Sequence, residues 1–319
     1  MKKYDVVALG ALLVDFTVNG RSSQGNPVFA ANPGGAPCNV LAMLRKQGKD
    51  VAFIGKVGCD GFGKQLADVL TETGIATEGL KWDEYVHTTL AVVHTLPGGD
   101  RDFSFYRNPG ADMMLTEEEL PLQMLENCRI FHFGTLSMTH EAVRKATLKA
   151  IEVAKRNGAL ISFDPNLRPP LWESLDAAAE QIDQGLSLCD ILKIADNEIE
   201  FMPGATDFDQ GAAILQERYP NIKILNVTAG AEGSYSYSCG HKVFVPGFRL
   251  SGTIETTGAG DTFCASVLGF VLENGVEDLR EAQLTEMLRF ANAAAYLVTT
   301  KKGALRVMPE KTEVEQILR

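Results

Sequence analysis

The stretch Glu255-Thr256-Thr257-Gly258-Ala259-Gly260-Asp261-Thr262, followed by an apolar run over 263–272, decides how this chain is read. Its two glycines let the backbone turn tightly and bring N–H groups close to a ligand. The turn runs directly into a helix, whose first N–H groups lack intrahelical partners and carry partial positive charge. Such a junction is an anion cradle. A carboxylate beside it is unfavourable unless chemistry needs it. Phosphoryl transfer does: the amides hold phosphate while Asp261 takes a proton from an attacking hydroxyl. An aspartate at a helix start is also a common N-cap, and a Gly-Ala-Gly turn is common in α/β proteins. The residues after Asp261 weigh against a surface cap, because a helix apolar almost all round is buried. The run is too short to cross a bilayer, which takes about 20 apolar residues.

Working outward, short apolar runs alternate with helical patterns. Residues 6–9, 51–54, 130–133, 160–163, 191–194 and 222–227 read as buried strands. Residues 40–47, 62–73 and 142–156 read as helices, stopped by Gly48, Gly74 and Gly158. The third is amphipathic, with Val143, Ala146, Ala150, Ile151 and Ala154 on one face. This alternation predicts a largely parallel sheet covered on both faces. Two segments break the rhythm. Residues 12–18 and 90–106 look like strands, the second a hairpin about Pro97-Gly98-Gly99-Asp100, with Thr89, Ala91 and Val93 before the turn and Phe103 and Phe105 after it. Strands without helices predict a small β layer beside the main sheet, as a flap over a substrate, an edge extension or a dimer surface.

The 319 residues allow one large α/β domain or two smaller ones, and 45% apolar content is enough for a sizeable core. Acids outnumber bases 41 to 30, which argues against a nucleic-acid surface. No C-x-x-C pair occurs among Cys38, Cys59, Cys128, Cys189, Cys239 and Cys264. Zinc ligation and a disulfide framework are therefore not expected, and a reducing cytoplasm is. Met1-Lys2-Lys3-Tyr4-Asp5 leads into a strand-like run without the pattern of a signal peptide, and no membrane-spanning run is visible.

Other constellations gather round the same chemistry. Asn32-Pro33-Gly34-Gly35-Ala36-Pro37-Cys38-Asn39 precedes the first long helix; Asn39 can cap it or face a ligand. Asp15 follows an apolar run, where a carboxylate can grip sugar hydroxyls or form a turn. Asn197 and Glu200 lie three apart at a helix start and can hold Mg²⁺ through its waters, or form a capping box with Asn197 as cap. Thr228-Ala229-Gly230-Ala231-Glu232-Gly233 follows a strand, where nucleotides dock in open α/β sheets. No P-loop occurs, and no G-x-G-x-x-G follows the first strand, which counts against a dehydrogenase. Arg107 and Arg168 stand in turn-rich settings suited to hydroxyls, phosphates or solvent. His132, between two phenylalanines, reads as a core histidine.

Taken together, these segments resemble the ribokinase-like (phosphofructokinase B-type) sugar kinases over nearly the full length. Gly34-Gly35 with Asn39 resembles the family's first signature, the segment from Thr257 to Thr262 its second, and Asn197-x-x-Glu200 its magnesium motif. Phe105-Tyr106-Arg107-Asn108-Pro109 and Asp164-Pro165-Asn166-Leu167-Arg168 are similar to the fructokinase branch. The resemblance implies a three-layer α/β/α sandwich with a mostly parallel sheet, a single kinase domain over 1–319, and a β lid from segments about 12–32 and 84–110. It implies Asp261 as base and the amides of Gly258, Ala259 and Gly260 as anion hole. Asp15, Gly34, Gly35 and Asn39 would bind the sugar, with Arg107 and Arg168 near it. Thr228, Gly230 and Gly233 would lie by the nucleotide phosphates and Asn292 by the adenine. A monovalent cation such as K⁺ would be held by carbonyls around Glu255, Thr257 and Gly303. Ala11 stands where many fructokinases carry Glu, and Glu255 where Asp is frequent.

The expectation is an ATP- and Mg²⁺-dependent kinase converting fructose to fructose 6-phosphate. Kinases of the same fold acting on 2-keto-3-deoxygluconate, ribose or a nucleoside are alternatives, as is a non-catalytic sugar or nucleotide sensor. The expected partner is a small-molecule sugar, with no nucleic acid and no membrane, and the apolar β lid offers a homodimer surface.

Overall fold

A computed structural model describes residues 2–95, 101–205, 207–248 and 252–319. The turn Pro97-Gly98-Gly99-Asp100 lies outside them. The strands are β1 (Tyr4–Leu9), β2 (Leu13–Arg21), β3 (Pro27–Gly34), β4 (Val51–Gly58), β5 (Ala76–Asp83), β6 (Leu90–Thr95), β7 (Arg101–Tyr106), β8 (Cys128–Gly134), β9 (Leu160–Asp164), β10 (Ile191–Ala195), β11 (Ile224–Thr228), β12 (Gly233–Ser238) and β13 (His241–Pro246). The helices are α1 (Ala36–Lys46), α2 (Gly61–Thr73), α3 (Leu122–Glu126), α4 (Glu141–Arg156), α5 (Leu175–Leu188), α6 (Asp196–Phe201), α7 (Phe208–Arg218), α8 (Ala259–Asn274), α9 (Glu281–Thr299) and α10 (Lys311–Ile317).

Nine strands form one sheet in the order β13-β12-β11-β10-β9-β8-β1-β4-β5. Its strands run parallel from β5 to β11, and β12 and β13 return antiparallel. Successive side chains of a strand point to opposite faces, and the core divides accordingly. Val6 and Ala8 face a cluster that includes α1, α8 and α9, while Val7 and Leu9 face one that includes α4, α5 and α7. The expected three layers are present, and both faces of the parallel strands are covered.

A second sheet, in the order β3-β2-β6-β7, supplies the expected lid. Its hairpin pairs Ala91 with Phe105 and Val93 with Phe103. Leu13, Ala91, Phe103 and Phe105 pack together in a small cluster with Ala11 and Leu136. Phe16, on the other face of β2, meets Phe62 of α2 edge-on at 5.6 Å. The lid is thus tied to the main layer at its base.

Helix α8 lies inside the molecule. Its residues from Asp261 to Gly269 are buried, as its apolar sequence predicts, and it packs between α1 and α9. Three local expectations need correction. The first long helix starts at Ala36, so Asn39 sits inside its first turn and does not cap it. Asp15 is the third residue of a lid strand, so it forms no turn. At α6 no capping box forms between Asn197 and Glu200; Glu198 instead reaches back to the helix start, where the Ala195 N–H donates to its Oε2 at 2.8 Å.

Candidate active site

The turn before α8 closes as its glycines require. Gly258 has φ 80°, the left-handed region, and ends against Ala304: a Cβ there would lie 2.7 Å from the Ala304 Cβ. The Ala259 N–H donates to the Thr256 carbonyl at 3.3 Å, so this amide is turned back into the loop. The amides of Gly260 and Asp261 belong to the first helical turn, where an α-helix offers them no acceptor.

Two cavities meet at this turn. The first, of about 360 Å³, is lined by Gly258, Gly260 and Asp261 from the turn. Gly35 and Asn39 from the start of α1, Asp15, Phe103 and Phe105 from the lid, Asp164 from the end of β9, Arg168 from the loop after it and Lys193 from the middle of β10 also line it. The second, of about 260 Å³, shares Thr256 and Gly260 with the first. Thr228, Gly230 and Gly233, Ala259 and Phe263, and Asn292, Ala295 and Tyr296 surround it. A ligand in one cavity therefore meets a ligand in the other across the backbone of residue 260.

Asp261 is 9% exposed at the wall of the first cavity. Asn39 Nδ2 donates to its Oδ2 at 2.8 Å, and Asn39 Oδ1 has no hydrogen-bond partner among the described residues. Burial raises the pKa of the Asp261 carboxyl to about 6, although the Asn39 bond and the cations Lys193 and Arg168 pull it down. A carboxylate tuned there is ionised at neutral pH yet basic enough to accept a proton. His132, buried beside Ser162, has its pKa lowered by burial and by Lys193 to about 3 and stays neutral.

The lid supplies shape. Phe103 and Phe105 stack 5.8 Å apart over the cavity. Asp15 reaches it past Gly34, where any side chain would collide: a Cβ would lie 2.2 Å from Asp15 Oδ2. Gly34 itself does not line the cavity; it permits Asp15 to. At Gly35, φ 121° turns the chain into α1, and a Cβ would lie 2.2 Å from the Ala11 carbonyl oxygen.

Some expected residues lie elsewhere. Arg107 lines neither cavity. Its Nε donates to Asp112 Oδ2 at 2.8 Å, Nη1 to Thr139 Oγ1 at 2.8 Å and Nη2 to the Leu136 carbonyl at 3.0 Å. It fastens the lid rather than facing the first cavity. Asn197 and Glu200 are exposed and line neither cavity. Glu198, between them, is 3% exposed and takes N–H groups from Ala195 and Leu167. Asn292 lines the second cavity, but its side-chain amide is spent on the Val245 carbonyl and the Ser234 hydroxyl. Glu255, Thr257 and Gly303 come together: the Thr257 hydroxyl donates to Glu255 Oε1 at 2.6 Å and the Gly303 N–H to Oε2 at 3.1 Å.

Lys193, Asp164 and Glu198 carried no site assignment in the sequence. The available signal was a lysine inside an apolar strand run, Ile191-Leu192-Lys193-Ile194.

Comparison with known proteins gives the family of the chain. Residues 3–311 match the model of the pfkB family carbohydrate kinases. Fructokinase-2 of Solanum lycopersicum is 41% identical over 316 residues, covering 98% of this chain and 96% of that protein. Among solved structures, a fructokinase with bound ATP from Xylella fastidiosa superposes with TM-score 0.90 at 30% identity, covering 100% of this chain and 98% of that one. A fructokinase double mutant from Vibrio cholerae O395 in a fructose, ADP and potassium ion bound form gives 0.87 at 26% identity, with 100% of both chains covered.

Proposed function

This chain belongs to the pfkB family of carbohydrate kinases, and we propose that it transfers the γ-phosphoryl group of ATP to fructose, giving fructose 6-phosphate and ADP. The observation that carries this reading is the meeting of two cavities at Gly260, with the Asp261 carboxylate in the wall of one. The fructose assignment draws on the relatives called fructokinases.

Fructose occupies the first cavity under the lid, held by Asp15, Asn39 and Arg168 and covered by Phe103 and Phe105. ATP occupies the second, its phosphates along Thr228, Gly230 and Gly233 and its base against Ala295 and Tyr296, with Asn292 holding the hairpin that frames it. Asp261 accepts the proton of the sugar's primary hydroxyl as that oxygen bonds to the γ-phosphorus. The bond from the γ-phosphorus to the bridging oxygen breaks, and the electron pair leaves with ADP. Charge on the transferring group falls against the Gly260 and Asp261 amides at the amino terminus of α8.

Among the described residues no group of three or more His, Cys, Asp and Glu could hold a metal. Mg²⁺ usually keeps several waters and is bound through one or two carboxylates plus substrate phosphates, so it would arrive with the nucleotide. Bound with the nucleotide, Mg²⁺ would supply positive charge to the phosphates. K⁺ would sit by the turn, where Glu255, Thr257 and Gly303 converge.

The whole chain acts as one kinase domain. The lid tip exposes Val18 (52%) and Phe29 (41%), which are paired across β2 and β3; we read this apolar patch as a homodimer surface. Six free cysteines suit the reducing cytoplasm we assign to it. No described helix is long and apolar enough to cross a membrane. Steady-state ADP release over a panel of fructose, ribose, 2-keto-3-deoxygluconate and a nucleoside tests the substrate. Fructose should give the highest kcat/KM; a different leader overturns the assignment, and binding without turnover points to a sensor.

A further inference from the structure

The mechanism above leaves unused a buried ammonium group that lines the first cavity. Lys193 lies in β10 with parallel neighbours on both sides, and it is 6% exposed. An ion placed there is costly unless it is paired and used. Its Nζ is 3.2 Å from Asp164 Oδ1. It lines the first cavity and reaches the underside of the anion turn: a Cβ built on Gly260 would lie 3.3 Å from Nζ. An ammonium carries three N–H donors, and among the described residues Asp164 is the acceptor in hydrogen-bonding reach.

We propose that Lys193 is the side-chain cation of the anion site, held by Asp164 beneath Gly260 so that its remaining N–H groups and its full charge face the transferring phosphoryl group. This rests on the kinase reading. A helix amino terminus offers about half an elementary charge; an ammonium adds a whole one in a water-poor site, where fixed charge is most effective. Burial by itself would lower the Lys193 pKa, but the neighbouring carboxyl groups, Asp164 foremost and then Glu198, outweigh it and hold it raised, so the charge is permanent. The same charge reaches Asp261, which also faces Asn39 and Cys38 of α1, Cys264 of its own helix, and Asp164 and Arg168 from the strand ends.

The test compares the full-length wild type with Lys193→Met, Asp164→Asn and the double variant. ADP release is measured with saturating ATP and fructose from pH 5 to 9. The single Lys193→Met change strands a buried carboxylate and is liable to unfold. The double variant removes both charges together, and Asp164→Asn is its reference. The expected result is a kcat for the double variant about 10²-fold below that of Asp164→Asn. The fructose KM should stay within about threefold, and the acid limb of kcat/KM should move to higher pH, because Asp261 then ionises without its cation. A thermal melt confirms folding of each variant. A folded double variant as fast as Asp164→Asn, or one changed only in KM or with an unmoved acid limb, overturns the role. A wild type that turns over no sugar rejects the kinase reading, whereas an active wild type with an equally active double variant rejects Lys193 alone.

Discussion

The two cavities that meet at Gly260 are built on opposite principles. The first holds Asp15, Asp164, Arg168, Lys193 and Asp261, and its neutral histidine is kept neutral by burial and by Lys193. The second has no charged side chain among its lining residues; threonines, glycines, alanines, two phenylalanines, a tyrosine and Asn292 enclose it. Charge developing at a reacting centre is stabilised by fixed charges and dipoles aimed at it. A donor that brings its own charge and metal needs mainly backbone amides and a shaped apolar slot. The difference assigns chemistry to one side of residue 260 and fit to the other.

That contrast can be broken most sharply at Asp261. Asp261→Asn should lower kcat by about 10²–10⁴-fold. It should also raise stability at neutral pH. The folded-state pKa of Asp261 is raised to about 6, so the folded protein holds that proton more tightly than the unfolded chain. Its stability contribution is therefore full at low pH and is lost as pH rises from about 4 through about 6. Above that window the variant should be more stable by up to about 3 kcal/mol, and melts at pH 4.5 and pH 8 should show the gap opening with pH. Equal gaps at both values would refute the origin of the shift.

The second cavity should respond differently. Ala295→Leu crowds the slot and is expected to raise the KM for ATP about tenfold, as overpacking of about 1–3 kcal/mol would. The KM for fructose should hardly move. A matching rise in both would show that the cavities are not separable. The smallest effect is expected where the sequence pattern pointed and the geometry does not: Asn197→Ala with Glu200→Gln should change the Mg²⁺ dependence of turnover less than about twofold, as exposed surface changes do. A large loss of Mg²⁺ activation would restore the pair.

The parallel strands were legible because strands buried on both faces are continuous apolar runs, as in 6–9 and 51–54. Strands β12 and β13 were not. In Gly233-Ser234-Tyr235-Ser236-Tyr237-Ser238 the serines are buried along with Tyr237, so polar residues occupy inward positions and no apolar run marks the strand. β5, Ala76-Thr77-Glu78-Gly79-Leu80-Lys81-Trp82-Asp83, is an edge strand with no apolar run. Within the site, Asp261, Asn39, Gly35 and the Thr228–Gly233 loop were legible because glycines and strand-to-helix junctions mark them. Arg107 and the Asn197/Glu200 pair were placed by pattern, and tertiary packing decided otherwise. Asp112 lies five residues beyond Arg107 and takes up its guanidinium. A helix that begins at Asp196 turns Glu198 inward and leaves Asn197 and Glu200 outside. Lys193 and Asp164 acquire meaning only from strand adjacency, which no local pattern carries.

The central claim is that the Asp261 carboxylate removes the sugar's proton beside the anion turn. The pH dependence of kcat/KM for fructose tests it most directly. An acid limb with an apparent pKa near 6, tenfold loss per pH unit below it and disappearance of that limb in Asp261→Asn are the predicted results. A profile flat down to pH 5, or a limb that survives in Asp261→Asn, would contradict the account.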